Sequence, residues 1–95
     1  MKKNVPKMMV TDLLQLAGIK INGGAPWDLQ VHNEQFYTRV LSNADLELGE
    51  AYMDGWWDCP RIDLFITRVL QSPIEAKIKN SLQFTFQLIL TKFFN

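Results

Sequence analysis

The 95-residue sequence has little of several features that mark specialised proteins. Its one cysteine, Cys59, excludes an internal disulfide, and its one histidine, His32, leaves too few ligands for a Cys/His zinc site. No run of about 18 apolar residues predicts a transmembrane helix, and the basic start is not followed by the apolar core of a signal peptide. We therefore expect a cytosolic protein.

The composition is that of a globular protein. Hydrophobic residues make up 47% of the chain and charged residues 21%, which excludes a disordered, collagen-like or disulfide-stapled chain. At roughly 100–200 residues per domain, the length predicts one small domain over residues 1–95.

Ten basic and ten acidic residues cancel, but they are unevenly distributed. Residues 1–10 carry three lysines and no acid, residues 74–95 carry three lysines and one acid, and residues 11–73 carry nine acids and four basic residues. The neutral total argues against nucleic acid as a partner, because phosphate binding needs a concentrated basic face. Basic ends are compatible with binding to anionic lipid. Because the two ends hold only six lysines, chance explains this charge distribution equally well.

Local signals predict a helix over residues 6–17, with Pro6 in its first turn and Gly18 at its end. The apolar residues at helical spacing are Met9, Leu13, Leu16 and Ala17. Residues 19–22 and 29–32 alternate around Gly23-Gly24, which predicts a β-hairpin.

Three further helices are predicted: one after Asn33, one over residues 46–54 and one from Ile62 to Leu70. The tail over residues 82–94 fits both a helical face and strand alternation, and its length favours helix. The expected fold class is α+β, a small and mostly helical domain with one short β-hairpin.

The sequence contains no catalytic constellation. There is no phosphate loop, no dinucleotide fingerprint and no nucleophile with a spaced base. We interpret His32 as a partly exposed structural residue and Cys59 as a small buried thiol. No catalytic, cofactor-binding or metal-binding residue is assigned, and the chain is not expected to be an enzyme by itself.

An acidic and aromatic segment is the first candidate interaction site. Glu47, Glu50 and Asp54 share one helical face, and this face is either solvated, paired with arginines or used for docking. The adjacent tryptophans fit core packing and an interface alike. The candidate docking residues are Glu47, Glu50, Tyr52, Asp54, Trp56 and Trp57.

The C-terminal tail is the second candidate site. Its apolar residues extend around much of the helix circumference, so another part of the domain, a second subunit or a membrane interface is expected to cover it. The candidate lipid-binding residues are Lys77, Lys79, Lys92, Phe84, Phe93 and Phe94, together with Lys2, Lys3 and Lys7 at the other end.

Several motifs carry a family resemblance. In order, they are Leu14-Gln-Leu-Ala-Gly-Ile-Lys-Ile-Asn-Gly23, Ala25-Pro-Trp-Asp28, Val31-His-Asn33, Phe36-Tyr-Thr-Arg-Val-Leu41 and Leu48-Gly-Glu-Ala-Tyr-Met-Asp-Gly-Trp-Trp57. From about residue 10 to about residue 72, the series resembles the N-terminal region of bacterial cyclopropane-fatty-acyl-phospholipid synthases.

The resemblance implies an accessory N-terminal domain of an enzyme that uses S-adenosylmethionine to add a methylene across the double bond of a phospholipid acyl chain. In that family a separate methyltransferase domain holds the cofactor, bicarbonate and the catalytic residues, and none of its motifs occur here. The implied partners are a phospholipid bilayer surface, that methyltransferase domain and a possible homodimer, with a cytoplasmic location at the inner membrane face. The alternative is a dimerisation or protein-interaction module without lipid contact.

Overall fold

The computed structural model describes residues 4–80, 82–83, 87 and 91. In chain order the elements are α1 (Val5–Gln15), β1 (Gln30–Val31), α2 (Phe36–Ser42), α3 (Ala44–Met53), β2 (Trp57–Asp58) and α4 (Ile62–Leu70), and residues 76–80 are also helical. This confirms the small, mostly helical α+β fold. None of the helices described is long and apolar enough to cross a membrane.

Helix α1 has the boundaries that its local signals predict. The Asn4 side chain accepts a hydrogen bond from the Lys7 amide at 3.1 Å, and Pro6 lies in the first turn, where its missing N–H costs nothing. Gly18 follows the helix with a φ of +70°, a conformation that glycine adopts without strain.

The buried face of α1 differs in part from the predicted one. Val10, Leu14 and the following Ala17 are buried, but Met9 and Leu16 are 55% and 52% exposed. Apolar residues lie on more than one side of this helix, so their spacing does not identify the buried side. Contacts with the rest of the domain determine which side is buried.

A buried carboxylate organises the loop after α1. Asp28 is 2% exposed, and its two carboxylate oxygens accept hydrogen bonds from the amides of Lys20 at 2.8 Å and Ala25 at 2.9 Å. Gly23 lies so close that a Cβ there would collide with the carboxylate. The loop therefore needs both the acid and the glycine.

The antiparallel strand pair forms between distant segments. β1 pairs with β2, with Val31 opposite Trp57. The predicted partner segment, residues 19–22, contributes only an isolated bridge between Ile21 and Leu29. The predicted local antiparallel pairing is therefore wrong. The Asp28 carboxylate accepts a hydrogen bond from the Lys20 amide of that segment, which holds the segment in a compact turn.

Arg68 holds helix α4 against this loop. Its guanidinium lies 3.7 Å from the centre of the Trp27 ring and donates to the Ala17 carbonyl at 3.5 Å, while the Trp27 indole donates to the Gly18 carbonyl at 3.2 Å. The cation–π contact joins residues 41 positions apart and the Arg68 hydrogen bond joins residues 51 positions apart.

The described part of the C-terminal tail is helical. Residues 82, 83, 87 and 91 have helical conformation, and Leu82 is buried in the core. The other residues of the predicted tail helix lie outside the described residues.

We expect Asp28→Ala to destabilise the domain by about 2 kcal/mol, because two amides in a partly buried loop lose their acceptor. Urea unfolding followed by circular dichroism measures the change. Asp12→Ala, on the exposed side of α1, is the matched control and is expected to stay within about 0.5 kcal/mol of the wild type. Equal stability of the two variants would contradict the assigned role of Asp28.

Candidate functional site

Trp57, one of the predicted docking residues, is part of the core. It is 1% exposed, and its indole N–H donates to the Leu48 carbonyl at 2.9 Å. Its ring centre lies 5.1 Å from that of Tyr52, 5.8 Å from that of Phe65 and 6.3 Å from that of Phe36. Trp57 therefore joins three helices and is not available at the surface.

The neighbouring Trp56 belongs to a polar cluster at the surface. The Arg39 guanidinium lies 4.5 Å from the centre of the Trp56 ring. Its Nε donates to Glu47 at 2.6 Å and its second nitrogen pairs with Asp54 at 2.9 Å. We call Arg39, Glu47, Asp54 and Trp56 the Arg39 cluster. The hydrogen bond to Glu47, with help from Asp54, raises the pKa of Arg39.

The predicted acidic face is therefore largely occupied within the domain. Glu47 and Asp54 share one arginine, as one of the sequence interpretations had it, so the Arg39 cluster carries a single net negative charge. Glu50 is exposed and Tyr52 is half-buried. The docking role of these residues stays a prediction.

Of the predicted lipid-binding residues, three can be placed. Lys77 is exposed and Lys79 is half-buried, both in the helical segment 76–80, and Lys7 pairs with Glu34 at 3.7 Å. The candidates Lys2, Lys3, Phe84, Lys92, Phe93 and Phe94 lie outside the described residues.

Helix α1 presents an apolar surface that the sequence analysis missed. Val5, Met8, Met9 and Leu16 are 49–55% exposed, and their spacing places them on one side of the helix. We call these four residues the α1 outer face. The missed signal was the i, i+3, i+4, i+11 spacing of these residues, which is as regular as that of the buried ones.

The opposite side of α1 borders an apolar groove of about 260 Å³. All the described residues that line it are apolar, and they come from α1, the residue before β1, α2, α3, α4 and the C-terminal segment. They are Val10, Leu13, Leu14, Leu29, Phe36, Val40, Leu41, Ala44, Leu48, Phe65, Ile78 and Leu82. We call this feature the apolar groove. It is suited to hydrocarbon and offers no group for acid–base chemistry.

His32 and Cys59 do not form a reactive site. His32 is exposed, and its Nε2 lies 3.1 Å from Asp58 Oδ2. Burial raises the pKa of the half-buried Cys59 thiol to about 11, and its Sγ donates to the Pro26 carbonyl at 3.4 Å. Since the thiolate is the nucleophilic form, a thiol in this environment is inert near neutral pH.

Comparison with known proteins confirms the resemblance. Over 87 residues, or 92% of its length, the chain is 42% identical to the cyclopropane-fatty-acyl-phospholipid synthases of two Escherichia coli strains. The chain spans about a quarter of the length of these relatives, since the match covers 23% of each synthase. Such a partial match is consistent with an N-terminal domain. No family model matches the chain.

We expect Trp57→Phe to lower the free energy of unfolding by about 1–3 kcal/mol, because it removes the indole hydrogen bond and leaves a void. Trp56→Phe keeps an aromatic ring over Arg39 and is expected to change stability by less than about 0.5 kcal/mol. Urea unfolding of both variants makes the comparison. A larger effect at Trp56 than at Trp57 would contradict the assignment of core and surface.

We expect Cys59 to react with iodoacetamide at pH 8 about a hundredfold more slowly in the folded protein than in urea. Raising the thiol pKa from 9.0 to about 11 leaves about one hundredth of the thiolate at this pH. The labelling rate should then rise tenfold per pH unit while the fold persists. Equal rates in the folded and unfolded protein would show that the thiol is not desolvated.

Proposed function

We propose that the chain is an accessory domain of an S-adenosylmethionine-dependent cyclopropane fatty acid synthase and helps that enzyme to engage membrane phospholipid. The 42% identity over 92% of the chain supports a common origin with part of such a synthase. In this proposal the methyltransferase domain is the partner and holds S-adenosylmethionine and bicarbonate. The apolar groove does not fit these groups, because its described lining offers no carboxylate for a ribose and no donor for an anion.

The observation that carries the membrane proposal is the α1 outer face. Four large apolar side chains remain about half exposed on one helix, and full burial of such a side chain is worth roughly 1.5–3 kcal/mol. A lipid interface would recover part of that free energy without a protein partner, as in other amphipathic helices that lie in the membrane surface.

Basic residues near the start of α1 support membrane binding at the α1 outer face. Lys2 and Lys3 precede the helix in the sequence and Lys7 lies in its first turns; a basic residue near an anionic membrane contributes about 1 kcal/mol. Lys7 does not add to the α1 outer face, because it lies about 200° around the helix from Val5, where it pairs with Glu34 and lies over the Tyr37 ring. Asp12 shares the outer side of the helix and opposes binding, so we expect shallow and salt-sensitive association.

A second candidate function is docking onto the methyltransferase domain through the Arg39 cluster. Trp56 is half-buried and stacks on Arg39 beside a shallow hollow that Gln35 and Thr38 also line. Tryptophan and arginine are enriched at the energetic centres of protein interfaces. This surface is independent of the α1 outer face, so variants can separate the two functions.

We expect the chain to sediment with vesicles that contain anionic phospholipid, and to do so less as salt rises. The double variant Met8→Ser/Met9→Ser should weaken the partition by about tenfold or more, equivalent to roughly 1.4 kcal/mol. Leu46→Ser, at a similarly exposed leucine of α3, is the matched control and should bind as the wild type does.

Two outcomes would overturn the membrane proposal. One is the absence of sedimentation with every lipid composition at low salt. The other is an equal loss of binding in the Met8/Met9 variant and in the Leu46 control. In either case, affinity for a separately produced methyltransferase domain, and its loss in Trp56→Ala, would support the docking function instead.

A further inference from the structure

We propose that the apolar groove binds an acyl chain of a phospholipid, with the phosphate at the edge formed by the helical segment 76–80. The inference rests on the proposed membrane function and identifies a second, separate contact with the lipid. The α1 outer face would hold the domain on the bilayer, and the groove would accept one hydrocarbon chain.

The walls of the groove determine the chemistry of its occupant. Twelve described residues line it, and none has a polar side chain. A polar ligand would leave water without gaining hydrogen bonds, at a cost of several kcal/mol. A hydrocarbon chain gives up no hydrogen bonds with water when it enters the groove. The structure therefore favours an occupant made of methylene groups.

The size of the groove fits this occupant. Its volume is about 260 Å³, larger than an apolar cavity of about 150 Å³ that is known to bind benzene. An empty apolar space of this size costs stability, because its lining atoms lack contact partners. Filling it with several methylene groups would restore those contacts.

An extended peptide fits the groove less well. Each of its residues would bring an N–H and a C=O into walls that offer no partner, and unpaired backbone groups of this kind are rare in proteins. Leu41, which is 41% exposed, also lines the groove, so the groove reaches the protein surface at this residue. An acyl chain that enters there would lie against Phe36 and Phe65, which also line the groove.

The charge at the edge of the groove complements a phosphate. Ile78 contributes to the groove wall, and its sequence neighbours Lys77 and Lys79 lie in the same helical turn. Glu75 is the one acid in the segment 74–80. An anionic headgroup at this edge would gain Coulomb attraction while its acyl chain occupies the groove.

Binding of phosphatidylglycerols with short acyl chains, kept below their micelle concentration, tests the proposal. We expect methyl NMR shifts at groove residues, and an affinity that rises about fourfold for each methylene added to the chain in the groove. Glycerol phosphate, which has the anionic group but no chain, should bind far more weakly. Equal affinity for glycerol phosphate and the lipids would overturn the acyl-chain assignment.

Filling the groove supplies the variant test. Ala44→Leu places extra methyl groups in the lining and should weaken lipid binding at least fivefold while maintaining or raising the melting temperature. Leu13→Phe does the same from α1. Ala76→Leu, the same substitution at an exposed alanine outside the lining, should bind as the wild type does. Unchanged binding in both filled variants would overturn the proposal.

Vesicle sedimentation separates this proposal from the membrane function. If the protein sediments with vesicles but monomeric lipid causes no NMR shifts at groove residues, the groove proposal is overturned and the membrane function stands. Groove binding without sedimentation would support the groove and overturn the membrane function. Self-association that disappears in Ala44→Leu, with no lipid binding in the wild type, would overturn the proposal by assigning the groove to a second copy.

Discussion

The indole of Trp57 lies where α2, α3, α4 and the strand pair meet, and the positions of these elements depend on its burial. Phe36, Tyr52 and Phe65 surround the ring, and Leu48 accepts its N–H. An aromatic side chain of this size supplies much of the core of a small domain, which can bury only about 60% of its unfolded surface. Because β2 carries Trp57, its pairing with β1 and the packing of the helices form together.

The side chains of the two adjacent tryptophans lie in different environments. Trp56 directly precedes β2, and its carbonyl accepts a hydrogen bond from the His32 amide at 2.8 Å, so the contact with the end of β1 orients it as well. Trp57 is buried, and Trp56 lies half-buried over Arg39. Arg39 in turn pairs with Glu47 of α3 and with Asp54 at the end of that helix, which reduces the repulsion between the two carboxylates.

Helix α1 carries apolar residues on two sides. Val10, Leu13 and Leu14 face the groove, while Met8 and Met9 face solvent. A helix that is apolar on two sides is more hydrophobic than a surface helix of an isolated domain needs to be. The proposed lipid contacts give each side a distinct role, one at the bilayer surface and one around a single acyl chain.

The sequence by itself indicated the helices and the likeness of the chain to the synthases. Pro6 and Gly18 bound α1, the helix from Ile62 to Leu70 follows from its apolar spacing, and the likeness to the synthases extends over 92% of the chain. These signals act within a few residues, so they are readable without the fold.

Only the tertiary structure decided which segment pairs with β1, which side of α1 is buried and which acids Arg39 binds. Each of these depends on contacts between different elements: Val31 of β1 lies opposite Trp57 of β2, and Arg39 of α2 binds Glu47 of α3. Alternation and helical spacing are compatible with several such partners. Packing selects one of them, because the side chains that fill the core in one arrangement exclude the other arrangements.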